Sequence, residues 1–220
     1  MVRIFLEGKE TKFIDYLIHN TWKGQTLYSF ESINAGGWTN LHLIVNKFKE
    51  NTDLGGTNLI VFDADTFQNG GGFTKRLIQL ESKQKELKIE FKLFLFPNHK
   101  SNGDFELLLE QIINPAHSGL LNCFSTYEAC IVQLNKSAQT EMFKTPMRKA
   151  KIYSYVDAFL KSQHENDQMK KDDYFFSNSQ YWDFNSPNLD PLKSFLLPHI
   201  VQVWHLEINI FHLFIILEPY

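Results

Sequence analysis

This 220-residue chain lacks any long apolar run, and neither sign of charge is in large excess. Its most apolar stretch, Ile210 to Leu217, is far short of the ~20 residues a spanning helix requires, so no membrane anchor is expected. Lys and Arg number 22 against 25 Asp and Glu, and the net charge of −3 supplies no basic field for nucleic acid. Any contact with DNA or RNA would have to be local or bridged by metal. Cysteine is scarce. Cys123 and Cys130 lack metal-ligand spacing and sit in an apolar, helix-like stretch, which fits free thiols in a reducing, cytoplasmic interior. No basic-then-apolar leader is read, because Met1-Val2-Arg3 runs directly into a strand-like segment. A charged fraction of 21% with 20 phenylalanines excludes disorder and suits one packed core.

The informative stretch is Asn58-Leu59-Ile60-Val61-Phe62-Asp63-Ala64-Asp65. Its apolar run reads as a buried strand ending in two aspartates at i and i+2. Along a strand those positions share a face, so the two carboxylates are expected to project together. Like charges that close repel unless a cation lies between them. Oxygen-only donors suit Mg2+ or Mn2+ rather than zinc.

Apolar patterning places strands at Val2 to Leu6, Leu27 to Ile33, Asn58 to Phe62 and Ile89 to Phe96. Helices are expected at Glu10 to His19, Leu41 to Phe48, Thr74 to Glu86 and Asp104 to Ile113. Such alternation predicts an α/β fold: a Rossmann-like, mainly parallel sheet of about four strands flanked by helices. Residues 1–115 are read as this core. Residues 116–220 are read as a mostly helical extension packed on it, with helices at Leu121 to Leu134, Lys149 to Leu160 and Leu192 to Leu197 and a solvated charged stretch from Gln163 to Asp173. The apolar end, Ile200 to Leu217, is expected to be a packing element. Ligands of open sheets bind beyond the carboxyl ends of the strands. Glu7, Asp63, Asp65 and the Asn98 to Glu106 loop should therefore meet on one rim.

Three local motifs carry a resemblance. Phe5-Leu6-Glu7-Gly8-Lys9 is an apolar strand followed by Glu-Gly, and Val61-Phe62-Asp63-Ala64-Asp65 is followed by Gly70, Gly71 and Arg76. The third is Phe94-Leu95-Phe96-Pro97-Asn98 with Gly103-Asp104-Phe105-Glu106. Together these resemble the Toprim family, in particular a standalone bacterial Toprim-like group related to the Toprim part of OLD-type nucleases. The resemblance implies Mg2+-dependent phosphodiester chemistry on DNA or RNA. It implies Glu7 as catalytic glutamate or metal ligand, and Asp63 and Asp65 as the metal-binding pair. No ATPase half accompanies these motifs, so energy coupling would need a separate ATPase or nuclease partner.

Around this centre several residues have two readings. Lys9 and Arg76 either neutralise phosphate near the metal or are ordinary surface cations. Glu106 either completes a metal site or is a first-turn acid favoured by the helix dipole. Asp104 is read as the N-cap of its helix. His99 lies on the rim but reads as a surface loop residue. Gly70 to Gly72 lacks the GxxxxGK[ST] context of a phosphate loop and is read as bending the chain around the site. Lys144, Arg148 and Lys151, at helical spacing, form either a backbone-binding stripe or a solvated face. Tyr181 and Trp182 are read as core anchors.

Two other function classes are also open. Phe62-Asp63-Ala64-Asp65-Thr66 resembles the first motif of haloacid dehalogenase-like phosphatases, with Lys171-Asp172-Asp173 as a candidate later motif. The third possibility is a Toprim-like scaffold that binds without turnover.

Overall fold

The computed structural model describes residues 1–8, 10–139, 142–159, 161–169 and 174–202. Lys9, Lys171 to Asp173 and the segment from 203 onward lie outside the described residues. Four strands, β1 (Val2–Leu6), β2 (Phe30–Asn34), β3 (Thr57–Asp63) and β4 (Lys92–Phe96), form one sheet in the order β2-β1-β3-β4. Every pairing is parallel, with Leu6 beside both Asn34 and Val61, and Asp63 beside Phe96. All four carboxyl ends therefore lie along one rim, as the alternating strand and helix pattern requires.

The helices are α1 (Thr11–Thr21), α2 (Val45–Asp53), α3 (Phe73–Leu87), α4 (Phe105–Gln111), α5 (Ser118–Ala138), α6 (Arg148–Asp157), α7 (Gln163–Met169) and α8 (Asp190–Ile200). The alternating strand residues serve two cores. Ile4, Leu6, Val61, Phe94 and Phe96 pack with residues of α1, α4, α6 and α8 on one face. Phe5, Ile33, Ile60, Phe62 and Leu95 pack with Leu41, Phe48 and Leu80 on the other. Phe5 stacks on Phe48 with ring centroids 3.8 Å apart. Residues from Ile152 to Val201 belong to the first core, so the later helices seal the α1 face of the sheet. Tyr181 and Trp182 are buried there, and the Trp182 indole donates to the Tyr174 carbonyl at 2.7 Å.

Several boundaries differ from the patterning. Leu27 pairs only through an isolated bridge to Val201, and β2 begins at Phe30. The second expected helix splits into a 3-10 turn, Trp38–Leu43, and α2. Ile89 and Phe91 are apolar because they pack in the second core, Phe91 against Phe48 of α2, not because they belong to β4. Part of the charged stretch coils into α7. Among the described residues, no helix is long and apolar enough to cross a membrane.

Candidate functional site

The order β2-β1-β3-β4 means that the chain leaves β1 in one direction and returns to its other side for β3. The crevice beyond the β1 and β3 ends is thus the topological switch point, where open parallel sheets bind ligands. Glu7 follows the last residue of β1, and Asp63 is the last residue of β3. Their positions are tied together: the Asp63 backbone N–H donates to Glu7 Oε2 at 3.0 Å. Gly37, in the left-handed region, backs onto the other oxygen, where an added Cβ would lie 3.4 Å from Glu7 Oε1.

Asp63 is fixed from a second side. Its Oδ1 accepts the Phe105 N–H at 2.8 Å, at the start of α4. Asp104 caps that helix as expected, accepting from the Leu107 N–H at 2.9 Å. Burial raises the Asp63 carboxyl well above the ordinary carboxylate range, and the charges of Glu7, Glu10, Glu106 and Asp104 push it further. Glu7, Glu10 and Glu106 are also raised, each mainly by burial. Several acids are therefore held close to one another, with burial the largest cause of each shift and Arg76 and Lys149 offsetting part of it.

Asp65 is placed differently from the expectation that it would project beside Asp63 from one strand face. The strand ends at Asp63, and Asp65 takes a left-handed conformation with φ of 62°. The i, i+2 rule holds only while the backbone stays extended. Asp65 instead bridges to Gly103, whose N–H donates to the Asp65 carbonyl at 2.9 Å. Its carboxylate pairs with Arg76, and its charge still bears on Glu7. Arg76 is 5% exposed, donates to Gln79 at 3.1 Å and lies 4.9 Å over the Trp38 ring. Its guanidinium is thus committed to Asp65 and the helix face around it. The glycine loop makes this arrangement possible: a Cβ at Gly71 would run into Asp65 and the Ala64 carbonyl, and Gly72 has φ of 112°.

The basic stripe does not exist as a free helical face. Lys144 precedes α6, while Arg148 pairs with Asp104 at 2.7 Å and Glu110 at 3.1 Å, and Lys151 pairs with Glu110 at 3.2 Å. Opposite charges on α4 take up these cations and dock α6. His99 accepts the Leu95 N–H at 3.0 Å and stacks on Phe94, a structural role.

Patterning did not single out Glu10, Lys149 or Tyr174. Glu10 begins α1 one turn after Glu7, and its Oε2 accepts the Gly8 N–H at 2.8 Å. Together with Glu106, Lys149, Tyr174 and two phenylalanines it lines a cavity of about 270 Å³. Only the placement of Glu10 near Glu7 was readable locally. Lys149 and Tyr174 reach the cavity through folding of the later chain.

Carboxylate oxygens without sulfur or imidazole suit a hard cation, and their mutual repulsion favours one. Among the described residues, no three His, Cys, Asp or Glu side chains are grouped to hold an ion by themselves. That arrangement is compatible with Mg2+, which usually keeps several waters and takes only one or two carboxylates.

The family described as "Protein of unknown function (DUF3226)" matches residues 2–199, and the chain belongs to that family. No curated protein and no solved structure matches the chain significantly.

Proposed function

We propose that this member of the DUF3226 family carries out Mg2+-dependent phosphodiester chemistry on nucleic acid, with Glu7 and Asp63 as the principal ligands of the ion. The observation that carries this reading is the Glu7–Asp63 pair at the switch point. The two residues are joined by a 3.0 Å hydrogen bond, and both carboxyls are raised by burial with like-charge neighbours. Such a pair is held in place at a cost that a divalent cation would relieve. The motif resemblance of Glu7-Gly8 and Asp63-Ala64-Asp65 to the Toprim family supports the same chemistry.

A bound hard cation supplies neutralisation of charge on a phosphoryl oxygen and a more acidic water. The chain's own residues position and buffer. The Asp63 N–H orients Glu7, and the Phe105 N–H orients Asp63. Glu7, its carboxyl raised above the ordinary range mainly by burial, holds a proton more readily than a surface glutamate. Asp65 is locked by Arg76 and acts on Glu7 through its charge. Glu106 adds a further carboxylate from the first turn of α4.

Titration calorimetry with Mn2+ and Mg2+, combined with nuclease assays on single- and double-stranded DNA and RNA, tests this reading. The wild type is expected to bind the ion and cleave, with binding lost in Glu7→Gln and cleavage lost in Asp63→Ala. Absence of ion binding by the folded wild type refutes it. Ion binding without turnover on any substrate favours a scaffold, and a beryllofluoride adduct on Asp63 favours a phosphatase.

A further inference from the structure

Helix α5 leaves most of itself in solvent. Of its 21 residues only Ile131 is buried, and only Glu128 and Lys136 are charged. A surface helix normally sets one apolar stripe against the core and a charged face against water. The inner stripe is present: Leu121 packs against the first core, and Phe124 lines a groove with Tyr155 of α6. The charged outer face is not.

A second apolar stripe runs along the outside instead. Leu120, Cys123, Tyr127, Cys130 and Leu134 recur at alternating spacings of three and four, which places them along one face. Leu120 is partly buried, both cysteines are exposed, and Tyr127 and Leu134 are 55% and 50% exposed. More apolar surface lies beside the end of this stripe. There the Asn135 side chain accepts the Phe143 N–H at 2.9 Å and donates to the Phe143 carbonyl at 2.7 Å, and Met142 and Phe143 are themselves exposed.

Exposed apolar surface of this extent marks an interaction site. Its chemistry restricts the partner. Nucleic acid and anionic membranes are held by rows of Lys and Arg, and Lys136 is the one basic residue of the helix. An uncharged stripe can meet its own copy with no like charges facing each other. Alternating spacings of three and four are also the pattern by which helices pair with helices. The area agrees. Tyr127, Leu134, Met142 and Phe143 are each about half exposed or more, and at the ~150–250 Å² of a large side chain they present roughly 400 Å². With the cysteines and a polar rim, a two-fold pair would bury about 1,000 Å² in all, the size at which specific interfaces begin.

We infer that α5 docks onto α5 of a second copy of this chain, through the stripe from 120 to 134 and across a two-fold axis. The inference is independent of the proposed metal chemistry.

Sedimentation equilibrium of the full chain tests it. The wild type is expected to form a reversible dimer in the micromolar range, as suits an interface of modest area. Tyr127→Glu combined with Leu134→Glu puts four acids into the paired stripes and is expected to weaken the dimer about 100-fold or more. Ala129→Glu, on the same helix but outside the stripe, is expected to leave it unchanged. In Cys123→Ser the one remaining thiol is Cys130, and its labelling by a maleimide should slow as the dimer forms. Circular dichroism establishes that the variants fold. A wild type that stays monomeric at submillimolar concentration overturns the inference. So does a dimer that survives the double substitution, or one in which Cys130 labels at the monomer's rate. A monomer whose Cys130 is nonetheless protected also overturns it, and assigns the stripe to a segment of its own chain.

Discussion

Asp63 and Asp65 stand one residue apart, yet they occupy opposite electrostatic surroundings. Asp65 has left the strand, and its carboxylate pairs with a guanidinium that is itself buried beneath Trp38. Asp63 closes the strand, receives one backbone N–H and is surrounded by Glu7, Glu10, Glu106 and Asp104. One half of the rim is thus compensated within the protein, and the other half is left acidic. On the proposed reading, the difference separates a structural role for Asp65 from an ion-binding role for Asp63 within a single short motif. A carboxylate already paired with arginine has little to gain from a cation, whereas one surrounded by other acids has much to gain.

Substitutions on the two halves should move stability in opposite directions. The largest effect is expected from Asp65→Asn, which strands the buried Arg76 charge. Breaking one partner of a buried pair costs about 3 kcal/mol, readable from urea unfolding. A loss below about 0.5 kcal/mol would show that the compensated half is not a structural lock. Next comes the cation itself: Mg2+ at 100 times its dissociation constant is expected to stabilise the wild type by about 2.7 kcal/mol. That gain should be absent in Asp63→Asn.

Asp63→Asn in the absence of metal is expected to stabilise rather than destabilise. It keeps the acceptor for the Phe105 N–H and removes a repelled charge. A gain of about 1 kcal/mol would raise Tm by roughly 2–4 °C in a protein of this size. The pH dependence has the same origin. Asp63, Glu7, Glu10 and Glu106 have folded-state pKa values above their ordinary ones, so the native state holds protons more tightly than the unfolded chain. Their contribution is fully present below the ordinary values of 3.8 to 4.5 and is lost as pH rises through the raised folded values. Metal-free stability should therefore decline as pH rises above the ordinary carboxylate range, less steeply in Asp63→Asn. The smallest effect is expected from Arg148→Ala. Its pairs with Asp104 and Glu110 are partly solvated, so a loss of about 0.5–1 kcal/mol that shrinks in high salt is expected.

The sheet was legible because burial on both faces writes parallel strands as continuous apolar runs, as in Leu59-Ile60-Val61-Phe62. Glu7 and Asp63 could be placed on one rim because strands alternating with helices imply a parallel sheet with its carboxyl ends on one side. The fate of Asp65 could not, because a left-handed residue after a strand has no periodic signature, and its partner Arg76 lies eleven residues on. Lys144, Arg148 and Lys151 looked like a free stripe because the acids opposing two of them, Asp104 and Glu110, belong to another helix. Tyr174 reaches the cavity only through packing of the later chain, which no local pattern reports. Strand ends were the least legible: Ile89 and Phe91 are as apolar as β4 but precede it and pack in the second core.

The position of β1 between β2 and β3 has a kinetic consequence. Val2 finds its neighbour at Thr57, and Leu6 finds its own at Val61, so the central pairing must close a long stretch of chain. Non-local parallel pairing of this kind slows folding relative to helical proteins of similar stability. During synthesis, the strand made first must wait for β3 before its second edge is covered. Until then an apolar segment with unpaired backbone is exposed, and dilute, cool refolding should recover more native protein than concentrated, warm refolding.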